Sequence, residues 1–502
     1  VALLSNELIP PARYVFLGYN FFTNQQEKCP YTVSCQGGGS SQLEFDIHLQ
    51  HYDLYCGNWE VLNRGREKFT MRILVLCCCG GLLLGFPGNP SAGLMTESFA
   101  WAGSSLEMAD AFPRFCVQEF DTRLKIGYAV VTTDVNGDGK IDIVVVDQHE
   151  VVWYENPTWK KWVIIRGKTR PDNVCITALD IDGDRLPEFV LGAGWRPTDT
   201  VTPGQLYWLR RGKSLSEEWQ AYELPCEEPT VHRVRAFDIS GDGRPEIVHV
   251  PLHGRGNTAR GNWTNGRPVR VIALHVPHHD PTRKENWKVE VLSEELYVTH
   301  NFWPAFRDRD GSPFRFPGIL VASYEGVHVI ERVGNRWQTR QVGVGNQERA
   351  HASRGASEVK SGWVGIPIIS TIEPWHGHEV VVYLPPKAGQ DLWQRQVIDR
   401  ELRWGHAVWF ADLDQDGKDE LIVGVRDDPD PQAGDRHTLR RGIRVYRCVD
   451  ASGTKWERHI LENGGVAVED LCAADLDADG RVDIIAVGRQ TGNARIYWNR
   501  GR

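Results

Sequence analysis

From about residue 113 to the end of the chain, short apolar runs alternate with polar turns on a repeating plan. A run such as "VRAFD" or "CAADLD" leads into an acidic turn. An apolar run follows ("IDIVVVD", "PEFVLGAG", "PEIVHVPL", "DELIVGVRD", "VDIIAVGR"), and then an alternating one ("EVVWYEN", "QLYWLRR", "GVHVIERV", "EVVVYLPP", "GIRVYRCV", "ARIYWNRG"). A run opened by tryptophan closes each unit, as in "WKKWVIIRG", "WQAYELP", "WKVEVLS" and "WERHILE". Period-two alternation rich in β-branched residues predicts strands. Four strands in each of seven units predict an all-β fold, a seven-bladed β-propeller. The last unit stops after "ARIYWNRG" without an outer strand, while "FPRFCVQEF" at 112–120 has the outer-strand pattern. That N-terminal strand is expected to complete the last blade and close the ring, which leaves only short sheet edges. An open repeat array would not need this complementarity between its ends.

The acidic turns follow D-x-[DNS]-x-D-G-x-x-[DE]. Their ligand-type positions are Asp134, Asn136, Asp138 and Asp142; Asp180, Asp182, Asp184 and Glu188; Asp238, Ser240, Asp242 and Glu246; Asp412, Asp414, Asp416 and Glu420; and Asp475, Asp477, Asp479 and Asp483. Calcium takes six to eight hard oxygens, and glycine permits the tight turn. Arg185 stands where the other four sets have glycine, so the second set departs most from the pattern. A worn copy begins at Phe306 and is expected to hold no ion. The gap of 106 residues between Phe306 and Asp412 leaves room for one repeat without such a turn, near "ASEVKSGWVGIPIISTIEP". The plainer alternative is a set of Asp/Gly turns without metal.

These turns resemble those of the VCBS/FG-GAP repeat propellers, over roughly 113–502. The resemblance implies calcium (or magnesium) in the blade loops, with a structural role.

Six residues before each turn, where the innermost strand begins, stand Tyr128, Val174, His232, His300, Ala356, His406 and Glu469. Ala356 is placed by eye, because its repeat has no acidic turn. Seventeen histidines in 502 residues make three in seven such places a marked excess. Innermost strands line the central channel of a propeller, so equal offsets are expected to bring these side chains to one level. Alternation then places Val234 and Glu358 on a neighbouring level of the same face and turns Arg233 and Arg235 away. The turns after the second strands lie at the same end. They bring Trp195, Arg196, His253, Arg255, Glu325, Trp375, His376, Arg426 and Arg489 to one rim. Tryptophan stacks on a pyranose face and charged groups bind hydroxyls, so the rim suits a small sugar or carboxylate. Neutral imidazoles with a carboxylate suit a transition metal such as zinc, or one histidine acts as a general base. Channel-lining polar residues are also often merely hydrated.

The wording around these residues is more particular. "EPTVHRVRAFD", "PLHGRGN", "VTHNFWP", "RGASEVK", "IEPWHGHEVVVY", "WGHAVW" and "GVAVEDLCAADLDADGR" resemble the propeller domain of the aldos-2-ulose dehydratase/isomerase family, also called 1,5-anhydro-D-fructose dehydratase. That family joins a propeller to cupin domains; the expectation here is a propeller without a cupin. The resemblance implies β-elimination of water from a 2-keto sugar. His232, His300 and His406 would hold a metal, Glu469 or His253 would be the base, and His376 or Tyr128 the acid. Trp195, Arg255, Glu325, Glu358, Trp375, Arg426 and Arg489 would bind substrate. The alternative is a non-catalytic, calcium-stabilised propeller that binds carbohydrate or protein.

Composition adds exclusions. The formal charge of -9, without a basic run, argues against nucleic acid. "MRILVLCCCGGLLLGFPGNPSAG" has the layout of a secretory signal peptide, so 71–93 is expected to be a leader, 1–70 an upstream extension, 94–111 a linker and 112–502 the propeller. The mature chain would be secreted or periplasmic, without a membrane span. Beyond residue 80 the cysteines are Cys116, Cys175, Cys226, Cys448 and Cys472, an odd number without close pairs and no disulfide framework.

Overall fold

The computed structural model describes residues 112–305, 318–349, 353–426 and 441–502, and the backbone alone of 55–62, 68–75 and 83–84. The expected extension, leader and linker lie for the most part outside the described residues. So does the worn turn at Phe306. Two compact units divide the chain, 1–104 and 105–502. In the first, Tyr55–Leu62, Lys68–Val75 and Leu83–Leu84 form a three-stranded antiparallel sheet.

The second unit contains seven four-stranded antiparallel sheets. Their innermost strands are Ala129–Thr133, Asn173–Leu179, Arg233–Phe237, Thr299–Pro304, Glu358–Trp363, Gly405–Ala411 and Val468–Ala474. Each packs beside the next, and the seventh beside the first, which makes a ring. Blade seven takes its outer strand from the N-terminus, where Phe115–Asp121 pairs with Ala494–Asn499. The chain is therefore a closed seven-bladed β-propeller. The expected repeat without an acidic turn is blade five, whose first two strands, Glu358–Trp363 and Pro367–Glu373, are joined by three residues.

The second and third strands of each blade carry the core. Asp142–Val146, Glu188–Ala193, Pro367–Glu373 and Glu420–Val425 are buried at every position. Such strands lie between two neighbouring sheets, which is why their sequences are apolar runs and not alternations. At two joints the backbone of the tryptophan that opens the outer strand bonds to the previous blade. The Trp219 N–H donates to the Ile164 carbonyl at 2.7 Å and the Trp393 N–H to the Val342 carbonyl at 2.8 Å. Among the described residues no helix is long and apolar enough to cross a membrane.

Candidate functional site

The innermost strands of blades four, six and seven begin with β-bulges. Thr299 pairs with Ser323 and Asn301 with Ala322, so nothing stands opposite His300. His406 and Glu469 are skipped in the same way. A bulge frees the extra residue from the ladder and re-aims its side chain. The repeated offset thus corresponds to a repeated backbone irregularity.

His300 and His406 are anchored alike. His300 Nδ1 lies 3.0 Å from the Ser357 carbonyl and His406 Nδ1 lies 2.6 Å from the Glu469 carbonyl, in each case on the next blade. A carbonyl only accepts, so each Nδ1 carries the proton and each Nε2 keeps its lone pair. This pattern corrects the alignment of blade five. Ser357, not Ala356, occupies the place that Glu469 holds in blade seven, and its N–H bonds Ile372 as that of Tyr128 bonds Val146.

The third imidazole is His376, where His232 was expected. His376 Nε2 is 2.7 Å from His300 Nε2, and His300, His376 and His406 each offer a nitrogen within 4.8 Å of the others. His376 comes from the turn after the second strand of blade five and has a left-handed backbone, φ 50. Such a conformation costs a side-chain-bearing residue about 1 kcal/mol and is often found at functional sites. Gly377 follows because a Cβ there would lie 2.3 Å from the Glu373 backbone. His232 stands beside the trio, 4.6 Å from His300 between ring centres, but Arg233 Nη1 approaches its Nε2 at 3.2 Å. That guanidinium N–H occupies the lone pair a metal would need.

Burial holds the pKa values of His232, His300, His376 and His406 well below the ordinary imidazole value, with Arg233, Arg426 and the neighbouring rings adding to it. All four rings are therefore neutral at pH 7. Trp375 stacks on His376 at 4.7 Å, Trp195 faces His232 at 4.8 Å, and Trp404 stands 5.8 Å from His376. Glu469 is gripped by Arg426 at 2.7 Å and Arg489 at 2.8 Å. With both oxygens occupied it is an orienting group for the two arginines, a poor candidate for the proton acceptor expected from sequence. Arg489 lies over the Tyr128 ring at 5.2 Å, and burial pushes the Tyr128 hydroxyl up to about 12.

Below this level the channel is charged. Glu358 accepts from Asn301 Nδ2 at 2.5 Å, and its Oε1 sits 2.9 Å from His300 Nδ1 without a hydrogen bond, because that proton goes to Ser357. Burial pushes the Glu358 carboxyl up. Lys360 lies over Trp303 at 3.6 Å and Trp409 at 4.6 Å. Arg233 and Arg235 line a cavity of about 270 Å³ here together with Trp303, Trp409 and Asp470. Sequence alternation had turned these arginines away from the channel and brought Val234 towards it. Val234 borders the same cavity while packing into the core between blades. The innermost strand is the edge of a sheet standing radially, so side chains from both of its faces reach over the axis.

Other expected site residues lie apart from the trio. Arg255 is half-buried and bonds the Val201 and Glu227 carbonyls at 2.6 Å and 2.5 Å, which ties two loops together. Arg196 is exposed and faces Asp199 at 3.6 Å. His253 stacks on Trp263 at 4.2 Å, and burial lowers its pKa to about 3. Glu325 is half-buried and accepts from the Tyr297 N–H at 3.3 Å. Trp404, Lys360, Trp303, Trp409 and Asp470 were not singled out from sequence. The tryptophans of "RWGHAVW" and "NFWP" carried the available signal. Several buried polar atoms around the trio have no protein partner: Trp375 Nε1, Arg426 Nε and Glu358 Oε1. Orphans of this kind mark places for water, ions or ligand.

At the far end of the innermost strands, the acidic turns share one hydrogen-bond plan. The ninth-position acid accepts from the second-position N–H: Val135 to Asp142, Ile181 to Glu188, Ile239 to Glu246, Leu413 to Glu420 and Leu476 to Asp483, at 2.8–3.1 Å. The sets at Asp180, Asp412 and Asp475 each bring three carboxylate oxygens within 4.8 Å. Burial and the neighbouring carboxylates push Asp142 and Asp483 up to about 6, Glu188 to about 7 and Glu420 to about 8. Arginines partly offset this crowding, as Arg210 beside Asp182 at 3.2 Å and Arg500 beside Asp477 at 3.1 Å.

Fold and site together define a seven-bladed β-propeller with a histidine cluster in its channel. Residues 134–191 match the FG-GAP-like repeat. Residues 203–386 match the family described as aldos-2-ulose dehydratase, beta-propeller domain, in agreement with the resemblance read from the sequence. Aldos-2-ulose dehydratase of Phanerodontia chrysosporium is 28% identical over 304 residues, which cover 57% of this chain and 32% of that protein. The match thus spans about a third of the relative's length. Among solved structures, a chain from the crystal structure of BBS1N in complex with ARL6DN, soaked with lead, superposes with TM-score 0.45 at 13% identity, over 77% of this chain and 96% of that one. A chain from the mitotic checkpoint complex gives 0.45 at 10% identity, over 84% and 100%.

Proposed function

We propose that this chain is a secreted, carbohydrate-active propeller that eliminates water from a 2-keto sugar of the 1,5-anhydro-fructose kind. The observation that carries the reading is the imidazole trio, whose two tethered Nδ1 protons leave Nε2 lone pairs facing a third ring. Carbonyl-anchored imidazoles of this sort suit a zinc-class ion. His300, His376 and His406 would hold it, and when bound it supplies Lewis acidity towards a ketone oxygen.

The chain's own residues do the rest. The proton on the carbon next to the ketone passes to Glu358, whose Oε1 has no protein partner. The C–O bond on the following carbon breaks, and the hydroxyl leaves as water with a proton from Tyr128. Glu469 holds Arg426 and Arg489 in place for sugar hydroxyls. Trp195, Trp375 and Trp404 offer faces on which a pyranose stacks. Calcium (or magnesium) in the blade loops is part of the reading, supported by carboxylates whose pKa values are raised by burial and by mutual repulsion, both of which a cation would offset.

The test is incubation of the zinc-loaded protein with 1,5-anhydro-fructose and other 2-keto sugars. Enone absorbance should rise in the wild type and stay flat in His300→Ala. A wild type that binds these sugars without forming enone favours the second reading, a carbohydrate-binding propeller, which the aromatic rim would also serve.

A further inference from the structure

A second cluster of metal-type donors lies away from the channel trio, at the joint between blades two and three. Cys226 and Glu228 sit on the connection that follows the outer strand of blade two, Gln220–Leu224. His249 lies on the second strand of blade three, Glu246–Val250. The three residues each offer one donor atom, and these atoms lie within 4.8 Å of one another.

His249 is the independent observation. It is 0% exposed, and neither ring nitrogen has a hydrogen-bond partner. A neutral imidazole always has one N–H to give and one lone pair to fill, so complete burial leaves both unmet. Isolated orphans of this kind are rare and call for an ion or a water. An ordinary core position would be filled better by leucine or methionine. The ring shares its face of the strand with Ile247, which packs in the core between blades two and three.

The other two donors retain capacity. Glu228 accepts from Arg270 Nη1 at 2.5 Å and from the Glu227 N–H at 3.0 Å, which uses two of its four lone-pair directions. Cys226 Sγ makes only a long contact, 3.8 Å to the Glu228 carbonyl. Cys226 forms no disulfide.

We propose that Cys226, Glu228 and His249 form a structural site for a borderline-soft divalent ion of the zinc class. A thiolate, an imidazole and a carboxylate select zinc over calcium or magnesium. Donors on a tetrahedral zinc stand about 3.5 Å apart, so closing the site needs inward movements of roughly 1 Å. The ion ties the interblade connection to the strand it crosses. Four residues past Glu228 on that connection is His232, beside the trio. The staple therefore fixes the approach of one channel wall, and it stands independently of the lyase reading.

The test uses the full chain, stripped with chelator and titrated with Co2+. The wild type should develop a near-ultraviolet thiolate-to-cobalt charge-transfer band. Cys226→Ser should lose that band, and His300→Ala should keep it, because the channel trio contains no sulfur. Zinc content should fall by one equivalent in Cys226→Ser. Absence of the band in folded wild type, or its survival in Cys226→Ser, overturns the proposal. Should Cys226→Ser fail to fold, X-ray absorption on the zinc-loaded wild type decides: a sulfur scatterer at about 2.3 Å supports the site, and a shell of nitrogen and oxygen alone rejects it.

Discussion

The two ends of the innermost strands are built from the same repeat and treat it in opposite ways. At the acidic end, five turns make the same hydrogen bonds. The first aspartate accepts from the sixth-position N–H in every one, Gly139, Arg185, Gly243, Gly417 and Gly480. At the channel end, the equivalent places carry Tyr128, Val174, His232, His300, Ser357, His406 and Glu469, and their contacts run from blade to blade. A turn solves a problem internal to one blade, so one solution is copied. The axis is shared by all seven blades, so each supplies a different part. Damage should accordingly stay local at the first end and spread at the second.

The largest effect expected is at the channel. His300→Ala should lower enone formation on the order of 10³-fold, and His376→Ala should match it if the rings act together. Steady-state turnover of the two single variants and the double variant checks this. A double variant no worse than either single one shows a unit; multiplied losses would make the rings independent and break the contrast with the turns. Next comes Glu469→Ala, which strands two arginines, one of them almost fully buried. Removing one partner of such a pair costs about 3–5 kcal/mol, readable as a shift in urea midpoint. Asp412→Ala at the other end should remove one bound calcium. At a free concentration 100-fold over Kd it should also cost about 2.7 kcal/mol of calcium-dependent stability. Turnover should be unchanged. Any loss of turnover would mean that the two ends communicate.

The same contrast governs what the sequence reveals. The strands, the ring closure through Phe115–Asp121 and the acidic turns are legible because each rests on local pattern repeated many times. Three of the channel residues were legible for the same reason, since the offset tracks a bulge that recurs in blades four, six and seven. His376 could be placed at the rim but not in the trio, because its position depends on the left-handed turn that carries it. The one-residue slip at Ala356 arose in the blade that lacks an acidic turn to count from. Arg233 and Arg235 were turned away by a rule for flat sheets with one inner face. A radial sheet presents an edge to the axis, and alternation no longer separates inside from outside.

The smallest expected effect tests how interchangeable the turns are. At the sixth position Gly139, Gly243, Gly417 and Gly480 have φ of 83–85, and Arg185 has φ 72. A side chain in this region costs about 1–2 kcal/mol, while glycine loses about 0.4–1 kcal/mol through the freer unfolded chain. Arg185→Gly should therefore stabilise the protein by about 0.5–1 kcal/mol. The reverse exchange, Gly417→Arg, should destabilise it by about the same amount. A Cβ at residue 417 meets nothing within 4 Å, so the cost there is conformational and not steric. Urea midpoints measured in calcium on both variants and on the double exchange decide the matter. If the two shifts are opposite and cancel, the turns are copies of one device. Shifts of the same sign would show that blade two has adapted its turn to arginine, and the uniformity of that end would no longer hold.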